Sequence, residues 1–254
     1  MRRAAALAAL SLLIAGCGSD DGGSVPRGDP DTRHGPVAVD DYAAVEFVRA
    51  RVVASSDSYY SGGSAEDARI QLERARAAYD VLGRRVKAKD PVVDREVIVR
   101  FNTVARDLRA GTSPDHYRDV AGPLADQLMD GVTQALVPQS ARSDRGVQAE
   151  ALRRVTARLA ATYDAAASGG DPDTGRLAFE ESWGLWRRAL ALTALIKPSL
   201  GGQKNTVAGS LNGLRGSAFP DGPIPVDTPS AQKVDSAGTK VIDALTKRFR
   251  FDAL

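Results

Sequence analysis

Ala68, Leu72, Ala75, Tyr79, Leu82 and Val86 recur at steps of four, three, four, three and four, and nothing else in the chain restricts its fold as tightly. Side chains so spaced share one stripe of an α-helix, and an apolar stripe needs a second element to cover it. A later segment repeats the stepping with Phe179, Trp183, Trp186, Leu190 and Thr193, an aromatic stripe that reads as core. Start signals precede both. Ser64 and Asp67 form a capping box with Asp in place of the usual Glu, and Asp171-Pro172 suits an N-cap and first helical position. Elsewhere proline and glycine punctuate the chain at fairly regular intervals, and no run alternates as a strand does.

The expected fold class is therefore all-α, with two tandem antiparallel bundles of about four helices each over 41–140 and 141–254. Helices are expected at 41–60, 64–88, 91–110 and 114–137, then at 145–167, 172–196, 198–215 and 229–249. Gly122-Pro123 should break or kink the fourth. The proline-dense stretch 219–229 is expected as a surface loop. A shift of 107 residues places Ser61-Gly62-Gly63 on Ser168-Gly169-Gly170, Arg51 on Arg158, Arg69 on Arg176, Glu73 on Glu180, Tyr79 on Trp186 and Pro91 on Pro198. Shared punctuation at a constant offset points to an internal duplication.

The single cysteine, Cys17, ends an apolar run that follows Arg2 and Arg3 and precedes a polar, glycine-rich stretch. Charged, apolar and small-residue regions in that order form an export signal, 1–16, too short to remain as a membrane span. Ile14-Ala15-Gly16-Cys17 resembles the lipobox of bacterial lipoproteins. That resemblance implies transfer of a diacylglyceryl group, carrying fatty acids such as palmitate, to the Cys17 thiol, cleavage before Cys17, acylation of the new amino terminus, and a protein lipid-anchored to the outer side of the cell membrane. Residues 17–40, rich in glycine, proline and aspartate, then read as a flexible tether in which His34 is solvated.

Removing the signal takes Arg2 and Arg3 from 34 Lys+Arg, leaving 32 against 32 Asp+Glu. A formally neutral chain lacks the clustered basic excess that nucleic-acid binding needs, so no nucleic-acid partner is expected.

Catalytic patterns are scarce. The phosphate-cradling, dinucleotide, nucleophile-elbow and H-E-x-x-H motifs are all missing, and no cofactor is indicated. Ser230-Ala231-Gln232-Lys233 fits S-x-x-K, but no S-D-N or K-T-G partner follows, and it falls in the first turn of an expected helix. His116 reads as a first-turn surface residue. Metal binding has the better candidates: Glu73 and Glu180 hold equivalent places in the two halves, with Glu181 beside the second. Carboxylates from paired helices are how bundles assemble hard-metal sites; solvated helix faces are the simpler alternative.

The motif "YYSGGSAEDARIQLERARAAYDVLGRRV" followed by "KDPVVDREVIVRFNTVARDLRAG" resembles the extracytoplasmic helical domain that precedes the membrane part of some bacterial iron permeases. Leu82-Gly83 stands where that family has Phe-Glu, and the Arg-Glu-x-x-Glu ligands of its membrane helices are missing. The resemblance implies a relative that binds or docks outside the membrane, linked to metal uptake, with an envelope membrane protein as partner. The expected function is a lipid-anchored binding or scaffolding protein. An envelope enzyme with a site scattered over the bundle and a purely structural spacer remain the alternatives.

Overall fold

A computed structural model describes residues 34–168, 171–225 and 230–251. Cys17, the signal, most of the tether and Gly169-Gly170 lie outside the described residues. The described residues are all-α, without a strand. The helices are α1 (Pro36–Tyr60), α2 (Ala65–Lys89), α3 (Pro91–Arg109), α4 (Pro114–Pro123), α5 (Met129–Leu136), α6 (Gln139–Ser143), α7 (Arg145–Ala167), α8 (Pro172–Ile196), α9 (Lys204–Ser217) and α10 (Gln232–Phe249). Among them none is long and apolar enough to cross a membrane.

Local chemistry sets most of these ends. Ser64 Oγ accepts from the Asp67 N–H at 3.0 Å, Asp90 Oδ1 from Val92 and Val93, and Asp171 Oδ2 from Thr174. Each cap satisfies amides that a helix start leaves without an intrahelical partner. α1 begins five residues before the expected 41, because Pro36 supplies a preset helical φ and Ala38 and Val39 find a core to enter. The tether is shortened accordingly. His34 is not free in solvent either: its Nε2 lies 2.7 Å from Asp144 Oδ2, on the residue that caps α7.

Pro123 does not end its helix. The chain passes through a single π-helical stretch, Leu124–Leu128, and continues into α5. A π-turn absorbs the amide that proline lacks, and Gly122 carries no Cβ to collide with the proline ring. In the second half the expected 198–215 helix is delayed by two 3₁₀ turns, Lys197–Ser199 and Gly201–Gln203, where Gly201 takes φ 53°.

Two apolar clusters form. One gathers α2 to α5 around Leu72, Tyr79, Phe101 and Tyr117; the other gathers α7 to α10 around Leu152, Tyr163, Trp186 and Phe249. α1 serves both. Its Ala38, Val39, Tyr42 and Ala50 enter the second cluster, and its Val45, Val48 and Val52 enter the first. At about 100° per residue these sets lie on different sides of the helix, so α1 is buried almost all round. It packs on α2, α4, α7 and α8. Against α8 the approach is extreme: a Cβ added to Gly184 would stand 1.9 Å from the Ala50 carbonyl oxygen.

The bounds of α2 shifted by 107 residues are those of α8, and the ends of α1 and α7 differ by the same 107. One part of the 219–229 stretch departs from a surface loop. Phe219 is fully buried, with ring centroids 5.3–5.6 Å from Phe179, Trp186, Tyr163 and Trp183.

Candidate functional site

The charged residues that matter meet where the two clusters adjoin, along the seam between α1, α2 and α8. Glu180 is fully buried there. Gln71 of α2 donates its Nε2–H to the Leu177 carbonyl at 2.7 Å and more loosely to Glu180 Oε2 at 3.4 Å. Asp67 pairs with Arg176 at 2.7 Å. Burial first, and then the nearby Asp67 charge, push the Glu180 carboxyl from its ordinary 4.5 up to about 7. Among the described residues Glu180 Oε1, Gln71 Oε1 and Ser58 Oγ make no well-formed hydrogen bond, although Ser58 stands close enough to the Glu180 carboxyl to hold its pKa down slightly.

Its expected companion is elsewhere. Glu73 lies on the outer side of α2, its side chain 61% exposed and ion-paired with Arg69. The reason is helical: Gln71 and Glu73 are about 200° apart around the axis, so one pointing inward sends the other to solvent. The shared space between Glu73 and Glu180 that a paired metal site requires is therefore not formed. Glu181 is buried and meets two guanidinium groups, Arg51 at 3.1 Å and Arg158 at 3.5 Å. Those arginines are the pair that the 107-residue shift superposes, and both converge on one carboxylate. Among the described residues no three His, Cys, Asp or Glu side chains are grouped to hold a metal ion.

A further buried pair ties α1 to its neighbours. Glu46 accepts from Arg188 at 2.7 Å and lies 3.5 Å from Arg49, which donates to Asp130 at 2.5 Å. His116 is exposed, and its backbone N–H is capped by Ser113. Ser230 accepts from the Gln232 N–H and Lys233 is exposed, so the S-x-x-K residues serve the start of α10.

Beside the seam, where α1 and α8 meet α4, a groove opens to solvent that sequence reasoning missed. α1 forms its floor, α4 with the π-turn one wall, and α8 the other. It has an inner compartment of about 230 Å³ and an outer one of about 420 Å³, which share Asp57, Arg118 and Arg187. The inner part is lined by small side chains, Ala121, Gly122, Ala125 and Ala191 among them. The outer part has Tyr60 and Trp183 as its aromatic sides. Trp183 donates its indole N–H to Asp57 at 2.8 Å, with Arg187 a looser 3.8 Å from the same carboxylate. Arg118 sits over the Tyr60 ring, its guanidinium carbon 3.9 Å from the centroid. No family model, curated protein or solved structure matches this chain.

Proposed function

We propose that this chain is a lipid-anchored binding protein of the bacterial envelope, held outside the membrane through Cys17 and built from two duplicated helical halves. The observation that supports binding over a purely structural role is the open groove beside the seam, where charged and aromatic side chains meet small ones that leave room for a ligand. A spacer needs no such cleft. Without a nucleophile–base pair in the groove, catalysis has no comparable support. A link to metal uptake, as the permease resemblance implies, would rest on the buried Glu180 carboxyl, whose Oε1 has no hydrogen bond among the described residues.

Two experiments test this. Metabolic labelling with a fatty acid should mark the wild type and not Cys17→Ser; equal labelling of both removes the anchor. Thermal melts against ligands, with iron, manganese, zinc and calcium included, should show stabilisation of about 2.7 kcal/mol at a hundredfold excess over the dissociation constant. Loss of that shift in Ala191→Phe, which fills the groove, assigns the ligand to the groove; loss in Glu180→Gln assigns a metal to the interior. A melting temperature unmoved by every ligand returns the protein to scaffolding.

A further inference from the structure

The groove carries one cation and one anion that the protein itself leaves unneutralised. Arg188 is consumed by Glu46, and Arg187 shares Asp57 with the Trp183 indole. Arg118 has no carboxylate partner among the described residues; its guanidinium carbon stands 3.9 Å from the centroid of the Tyr60 ring, and the residue is exposed. Asp126, exposed on the π-turn, has no cationic partner among the described residues either, yet it lines the same cleft. The two lie eight positions apart on one continuous helical wall, about 12 Å along the axis between backbones, and among the described residues they form no ion pair with each other. The same cleft is lined by the small or apolar Val52, Val53, Ala121 and Ala191, together with Ser56 and the Asp57 and Arg187 already paired.

We infer that the groove binds a short zwitterionic peptide, its terminal carboxylate on Arg118 and its terminal ammonium on Asp126. An extended tripeptide measures about 10 Å end to end, close to the ~12 Å between the two positions. The small lining residues favour a ligand with small side chains. The π-turn is integral to this arrangement, since it sets Ala125 and Asp126 on the groove wall in a helix that proline would otherwise have stopped.

The inference rests on the binding-protein reading, and its test separates the two. The mature full-length protein is titrated calorimetrically with tri-alanine, its C-terminal amide and its N-acetyl form, with tryptophan fluorescence following Trp183. Free tri-alanine should bind, and each capped form should bind at least about tenfold more weakly. Arg118→Gln should lower the affinity for tri-alanine to that for the amide while leaving the amide unchanged. Asp126→Asn should do the same with respect to the acetylated form. Ala191→Phe, at an exposed position, should abolish binding without loss of fold. The inference is overturned by no saturable binding at millimolar peptide, by equal affinities for free and capped forms, or by single variants that leave the discrimination intact. A different ligand that stabilises the wild type and not Ala191→Phe would keep the binding reading while refuting the peptide.

Discussion

Replacing Glu180 with glutamine should stabilise the protein at alkaline pH and leave it nearly unchanged in acid. In the folded chain the carboxyl holds its proton up to about 7, because ionisation would place a charge in the interior beside Asp67; its ordinary value is 4.5. Between those values the native state therefore binds more protons than the unfolded one, and stability falls as pH rises. The contribution is fully present below about 4.5 and is lost by the time pH passes 7. The difference between the two values corresponds to about 3 kcal/mol. Glutamine keeps the shape and cannot ionise, so the variant escapes that loss. Urea denaturation of wild type and variant at about pH 5 and about pH 8 should give a stability difference that grows by about 2.5 kcal/mol, or a shift in melting temperature of about 5–10 °C. Other carboxylates titrate equally in both proteins and cancel in the difference. Asp67→Asn should move the wild-type transition to lower pH, since the neighbouring charge is then gone. A wild-type-to-variant difference that stays constant across this range would mean that Glu180 is ionised throughout, and the buried seam as described would be wrong.

Gly184→Ala should lower stability by about 3 kcal/mol or more in denaturant melts, since its methyl would collide with the Ala50 backbone rather than with a side chain that could turn away; a change within 0.5 kcal/mol, roughly the scatter of surface substitutions, would place α1 and α8 farther apart. Phe219→Ala should lose about 3–5 kcal/mol and flatten the near-ultraviolet dichroism of Trp183 and Trp186, whose rings pack on it. Glu46→Ala leaves Arg188 and Arg49 short of a buried partner and should lose about 3–5 kcal/mol, against little for Glu73→Ala on the exposed face. Equal effects of these last two substitutions in the same melts would contradict the burial of the first.

Helix identity and most helix ends were legible in the chain itself, because caps, prolines and the apolar stepping act over three or four neighbouring residues. Ser64, Asp90, Ser113 and Asp171 each cap the helix that follows, and the stripe from Ala68 to Val86 is buried throughout. The 107-residue offset relates α2 to α8 at both bounds and the C-terminal ends of α1 and α7, but not the start of α9. Pro123 marks the limit of such local rules: a π-turn carries the helix past it, sustained by the burial of Leu124 and Met129 on either side. What a polar residue does was decided by partners far away in the chain. Glu73 and Glu180 are equivalent in sequence, yet one faces water and the other faces Gln71, because α2 lies at the rim of the seam and α8 runs through it. α1 shows no preferred apolar side, since two cores claim opposite flanks of it. Phe219 sits among prolines that mark a loop, and only the ring of aromatics around it draws it inward. The groove exists because three helices, the outer two more than about 100 residues apart in the chain, converge with small side chains and charges turned toward one another. Periodicity reports which side of a helix is apolar; which neighbour that side meets, and what is left open between them, is settled only by packing.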